Sequence, residues 1–274
     1  MKESFIPVTS IASGIGQEVM PDLYYFPVQI VNVVFAGTQN EWVLIDAGMP
    51  KSADKIIEEA EKRFGEGTRP RAIILTHGHF DHTGALRDLV ERWKVPVYAH
   101  ILELPYLTGK KDYPKPDSSV GGGLVSSMAP MFPNEALHLE DEVVPLPEDG
   151  TIPFMKGWRW IHTPGHTPGH VSFFRESDAS LIAGDAFVTV KQESLYKVMT
   201  QKQEISGPPK YLTTDWDAAY ESVRKLAALK PQLAVTGHGL PMACQLLGTS
   251  LEKLVDRFYD IAVPEHGKYV NEDD

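Results

Sequence analysis

Apolar and polar positions follow two rhythms along this chain. Two runs of β-branched and aromatic residues, 28–35 and 41–45, flank the turn-forming stretch 36–40 and predict a hairpin-like pair of strands. Residues 52–64 place Ile56, Ile57, Ala60 and Phe64 on one side and charge elsewhere, which predicts an outer helix with Ser52 as its cap. The apolar run Ala72, Ile73, Ile74, Leu75 predicts a buried strand. After it, Leu86, Leu89, Val90 and Trp93 mark one helix over 83–93, and 95–99 reads as a further strand. Strand and helix thus alternate, the pattern of an α/β domain.

The second half repeats that logic. Strands are predicted over 158–162, 171–174 and 180–184, a helix over 215–229 through Ala218, Ala219, Val223, Leu226 and Ala227, a short strand over 231–235, and a closing helix over 244–261. Residues 105–150 break the rhythm with many prolines and glycines, Gly121, Gly122 and Gly123 among them, and read as a loop or lid inserted into a single domain spanning 1–274. Lys110, Lys111 and Lys115 lie there beside Tyr106, Tyr113, Met128, Met131 and Phe132. Substrate contact, oligomer contact and a mobile insertion are equally open for this stretch. Residues 190–213 are polar and carry little signal.

Chemistry enters directly after the buried run, in Thr76-His77-Gly78-His79-Phe80-Asp81-His82. Composition alone would produce this arrangement of three histidines and an aspartate in roughly one of a thousand such chains, so it is a specific signal. In extended chain, residues two apart share a side, so His77, His79 and Asp81 can project together, with His82 at or just before the next helix. Imidazole and carboxylate together are a ligand set for zinc, and they also suit iron or manganese.

The stretch resembles the signature of the metallo-β-lactamase superfamily, with a motif set like that of glyoxalase II enzymes. The resemblance continues through His166 in Thr163-Pro164-Gly165-His166, Asp185 in Ala183-Gly184-Asp185 and His238 in Thr236-Gly237-His238. It implies a four-layer αββα sandwich of two mixed β-sheets with outer helices. It also implies two divalent ions, zinc first and iron or manganese as alternatives. One would be held by His77, His79 and His166, the other by Asp81, His82 and His238, with Asp185 between them. The implied activity is hydrolysis of a lactone, ester or thioester by a metal-bridging hydroxide, with Asp81 also moving protons as a catalytic residue. The alternative is a mononuclear iron enzyme like the persulfide dioxygenases of this fold, using His77 or His79 with His166 and Asp185.

The subfamily is narrowed by departures from relatives' patterns. True β-lactamases carry cysteine or a non-ligand where this chain has Asp185, glyoxalase II enzymes continue into a longer helical region after the last histidine, and acyl-homoserine lactonases have tyrosine where this chain has Val188. Asp46, ending the first hairpin, reads either as a turn former or as a carboxylate supporting the metal loop. His162 and His170 read as turn or supporting residues, and His100, His138 and His266 as ordinary surface or capping residues.

Bulk properties set the remaining bounds. A chain of 274 residues with 42% hydrophobic and 23% charged residues can bury a substantial core. A net charge of −11 repels phosphate backbones, so a small-molecule substrate is expected and nucleic acid is not. Cys244, the single cysteine, allows no internal disulfide and no cysteine-based zinc knuckle, and reads as a packed core thiol. Residues 1–7 lack the apolar core of a signal peptide and no run approaches bilayer length, so a cytoplasmic protein without a membrane partner is expected. A homodimer is compatible with this composition, which leaves the oligomeric state open.

Overall fold

Strands in which every residue is apolar need cover on both faces, and those of this chain find it in four layers. The computed structural model describes residues 9–120, 128–139, 142–192 and 194–270; Gly121 to Gly123 of the expected lid lie outside them. The first sheet runs β1 (Gln17–Met20), β2 (Leu23–Val28), β3 (Val31–Thr38), β4 (Glu41–Ile45), β5 (Ile73–Ile74), β6 (Val97–Ala99) and β7 (Val143–Pro145). It is antiparallel from β1 to β4 and parallel from β4 to β7. The second is ordered β12 (Met242–Ala243), β11 (Leu233–Thr236), β10 (Ser180–Gly184), β9 (Val171–Arg175) and β8 (Trp158–His162), with only β10 and β11 parallel.

Alternation along each strand divides the core. Val34, Ile45 and Ile74 of the first sheet meet Phe173, Ile182 and Val235 of the second in the central layer. Their neighbours Val33, Leu44 and Ile73 point outward onto α1 (Ala53–Phe64) and α3 (Leu86–Trp93), which offer Ile56, Phe64, Leu86 and Trp93. On the far side, Phe174, Leu181 and Ala234 pack against α6 (Trp216–Ala228) and α7 (Cys244–Asp256) through Val223, Leu226, Leu247 and Leu251. This is the expected αββα sandwich of two mixed sheets.

Four boundaries differ from the sequence reading, each for a local reason. The run 28–35 is cut by a turn in which Gln29 takes φ 58°, so that it supplies the end of β2 and the start of β3. The helix expected over 83–93 is split into α2 (Phe80–Thr83) and α3, because Gly84 N–H turns to the Gly48 carbonyl at 2.8 Å. A Cβ on Gly84 would lie 2.2 Å from Pro50 N, so only glycine fits this close crossing. His82 therefore sits inside α2. Ser52 does not cap α1; its hydroxyl donates to the Met49 carbonyl at 2.6 Å and tightens the preceding turn. The closing helix breaks at Arg257 into α7 and α8 (Phe258–Ile261), and Cys244 is exposed at the start of α7 and not packed in the core.

The described residues of the stretch 105–150 include regular structure. The stretch begins in α4 (Leu104–Leu107), includes a 3-10 turn at Ala129–Met131, and ends in β7, which pairs with β6 as the edge of the first sheet. Asp215 caps α6 by accepting from the Ala218 N–H at 2.9 Å. Between β10 and α6 a six-residue helix, α5 (Leu195–Thr200), occupies the polar region that carried little signal.

Candidate metal centre

Strand ends at one edge of the sandwich deliver the polar residues. His77, His79, Asp81 and His82 follow β5, His166 lies in the turn between β8 and β9, Asp185 follows β10 and His238 follows β11. The structure brings all seven into one cluster, none of them more than 5% exposed. Within it, His77, His79 and His166 form one group whose candidate ligand atoms lie within 4.8 Å of one another, Asp81, His82 and His238 form another, and His77, His82 and Asp185 form a third that overlaps both. His79 Nδ1 is 2.9 Å from His166 Nε2, and His238 Nε2 is 3.3 Å from Asp81 Oδ2. Asp185 Oδ2 touches both groups, 3.5 Å from His166 Nε2, 3.5 Å from His82 Nε2 and 3.2 Å from His238 Nε2.

Four of the five rings are aimed by their outer nitrogen. His77 Nδ1 meets Thr76 Oγ1 at 3.0 Å, His82 Nδ1 meets Asp46 Oδ2 at 2.8 Å, His166 Nδ1 meets Thr213 Oγ1 at 3.0 Å, and His238 Nδ1 meets the Ile30 carbonyl at 2.8 Å. Such contacts select the tautomer that leaves the inner nitrogen a free lone pair. Five inner atoms, His77 Nε2, Asp81 Oδ1, His82 Nε2, Asp185 Oδ1 and His238 Nε2, are buried without a hydrogen-bond partner. Orphaned buried polar atoms cost free energy, and imidazole and carboxylate atoms left so within one cluster fit divalent cations of the kind those groups bind. About 3.3 Å between donors is what a tetrahedral site with 2.0–2.1 Å bonds requires, which the Asp185 contacts match.

The two groups differ in protonation. Burial holds His77 and His166 well below the usual histidine range, and His79 is lowered by burial to about 4, so the three-histidine group is neutral near pH 7. Burial also disfavours charge on His238, but Asp185 and Asp81 overcome it and push His238 up to about 10. His82 goes well above its usual value by the same balance, with Asp185, Asp46 and Asp81 outweighing burial. Because ligand imidazoles must be neutral, filling the second group at neutral pH is expected to release roughly two protons per chain, and its affinity to fall as pH drops. Calorimetry of zinc binding in buffers of different ionisation enthalpy measures that release; a proton count near zero would contradict it.

The family model for the metallo-β-lactamase superfamily matches residues 26–238, which hold every strand from β3 to β11 and all seven clustered residues. The chain belongs to the metallo-β-lactamase superfamily. Among superfamily relatives, YflN of Bacillus subtilis strain 168, described as a probable metallo-hydrolase, is 49% identical over 266 residues, 95% of this chain and all of that protein. TTHA1623, solved in a di-iron-bound form, is 28% identical and aligns over 82% of this chain and 94% of its own with a TM-score of 0.53. A β-lactamase from Chitinophaga pinensis, 18% identical, shares the fold with a TM-score of 0.62 over 95% of this chain and 97% of its own.

Several residues around this superfamily centre escape sequence reading. Thr213, which orients His166, lies in the stretch that carried little signal, and Ile30 acts through a carbonyl that no side-chain motif can reveal. Asn32 secures the His238 turn by donating to the Thr236 and Gly239 carbonyls at 2.9 and 2.7 Å. His170 has the supporting role expected of it: its Nε2 accepts from the Asp185 N–H at 2.9 Å, and burial lowers it to about 3, which keeps it neutral. His100 is not the ordinary surface residue expected. It is buried, stacked on the His162 ring at 4.4 Å and edge-on to Trp160.

Proposed function

We propose that this superfamily member is a dinuclear metal-dependent hydrolase, with zinc in both positions, acting on a lactone, ester or thioester. The observation that carries the reading is the pair of buried donor groups sharing Asp185, with their inner atoms otherwise unpartnered. His77, His79 and His166 hold one ion, Asp81, His82 and His238 the other, and Asp185 lies between. Two divalent ions held there would polarise the scissile carbonyl and bring the pKa of bound water down to about 7, so that no serine or cysteine nucleophile is needed.

The chain's own groups then orient and move protons. Asp81, whose carboxylate reaches His238 Nε2 at 3.3 Å through Oδ2, would accept a proton from the attacking water and return it to the leaving oxygen or sulfur as the carbonyl carbon–heteroatom bond breaks. Apolar residues pack around the loops that carry these groups: Phe80 between His79 and Asp81, Tyr211 and Leu212 beside Thr213, and Val31, Met49 and Phe132 next to them.

The mononuclear iron alternative is not favoured, since Asp81, His82 and His238 make a second donor set that such a site would leave unused. The test is elemental analysis of protein purified without chelator, coupled to a panel of lactone, ester, thioester, phosphodiester and persulfide substrates. About two ions per chain and hydrolysis of an acyl substrate are expected. Protein that folds metal-free and takes up no added zinc, or that consumes oxygen on a persulfide, overturns the reading.

A further inference from the structure

We infer that Glu103, a residue outside every metal motif, is the positioning residue that sets the spacing of the three-histidine group; this rests on the metal-site reading above. Glu103 stands just before α4, between β6 and β7 of the first sheet, and is 0% exposed. Its carboxylate accepts from both loops of that group at once. Oε2 takes the Gly78 N–H at 2.9 Å, between His77 and His79, and also the Tyr113 hydroxyl. Oε1 takes the Gly169 N–H at 2.8 Å and the Thr167 hydroxyl at 2.7 Å, the latter adjacent to His166.

Among the described residues, four donors and no cation satisfy this fully buried carboxylate, the condition under which charge-assisted hydrogen bonds fix geometry most firmly. The glycines show that the approach is built in. A Cβ on Gly169 would lie 2.8 Å from Glu103 Cγ and Oε1, and one on Gly78 would lie 2.6 Å from Tyr113 Oη. Neither glycine has a left-handed φ, so both are there to let the carboxylate and its tyrosine come close to the backbone. Tyr113 ties the device to the site a second time, since its ring packs on His79 at 4.6 Å between centroids. The two loops come from different halves of the sandwich, and the carboxylate is a direct polar link from one to the other.

Glu103→Gln keeps the shape and removes the symmetry. Turned one way, its NH2 opposes the Gly169 N–H and that loop must retreat; turned the other, it opposes the Gly78 N–H, which is left with Tyr113 Oη at 3.1 Å as its one acceptor. The experiment compares wild type, Glu103→Gln and Tyr113→Phe by zinc titration against a chromophoric chelator, and by the visible spectrum of each cobalt-substituted protein. Glu103→Gln is expected to bind zinc roughly 10–100-fold more weakly with an altered cobalt spectrum, and Tyr113→Phe to show a smaller change of the same sign. A purely structural role would lower thermal stability and leave the affinity and spectrum of the folded protein alone. Folded Glu103→Gln with wild-type affinity and spectrum overturns the positioning role while the metal site stands; wild type that binds no zinc overturns both. If Glu103→Gln does not fold, Tyr113→Phe decides, and wild-type binding by it refutes the inference.

Discussion

Alanine in place of His79 is expected to abolish hydrolysis and to take the purified protein from about two ions per chain towards one. Nδ1 of His79 faces His166 Nε2 at 2.9 Å, and burial keeps the ring neutral, so it is a donor that needs no proton removed before binding. Without it, that position keeps His77, His166 and the carboxylate shared through Asp185, one protein donor fewer than the intact set. Loss of the polarising ion is worth several kcal/mol in the transition state, about 10³-fold or more in kcat/KM. His266→Ala serves as a control, since His266 is exposed. The variant is checked for folding by circular dichroism, because deleting a buried ring also leaves a cavity. Wild-type metal content and turnover in folded His79→Ala would exclude the three-histidine group as a binding site.

The layers were legible because β3, β4, β5 and β10 carry apolar residues on consecutive positions, and only a strand covered on both faces sustains that pattern. The first four polar residues of the cluster were legible for a different reason: they are adjacent in sequence, so the backbone alone places them together. His166, Asp185 and His238 were found by resemblance, since nothing in their own neighbourhoods requires them to meet. What sequence could not show are contacts made by closure of the sandwich. Glu103 lies 25 residues from Gly78 and 66 from Gly169, and Thr213 is 47 residues from His166. A buried carboxylate in an ordinary stretch such as Glu103-Leu104-Pro105 reads as a solvated one. The turn at Gln29 and the break at Gly84 were missed for a related reason, because each is imposed by a neighbouring segment rather than by local propensity.

Asp46→Asn should act on the second ion alone. Asp46 sits at φ 60°, a region that asparagine tolerates well, so the substitution leaves the backbone unstrained. Oδ1 of Asp46 accepts the Thr76 N–H at 2.8 Å, and Oδ2 accepts the Thr76 hydroxyl at 2.8 Å and His82 Nδ1–H at 2.8 Å. Asparagine can supply only one of these acceptors. If its NH2 replaces Oδ1, it opposes the Thr76 N–H and pushes on the backbone leading to His77. If it replaces Oδ2, it opposes His82 Nδ1–H, and the imidazole can relieve this only by moving its proton to Nε2, the atom that must offer a lone pair to the metal. The second outcome is less costly, because a tautomer changes more easily than a buried backbone. The second ion should therefore bind roughly 10–100-fold more weakly, with kcat/KM falling in step until excess zinc restores it. The three-histidine group should keep its ion, so dialysed Asp46→Asn is expected to hold about one ion per chain. Two ions retained at wild-type affinity would show that His82 does not depend on Asp46 for its tautomer, and loss of both would show that Asp46 acts through the Thr76 backbone instead.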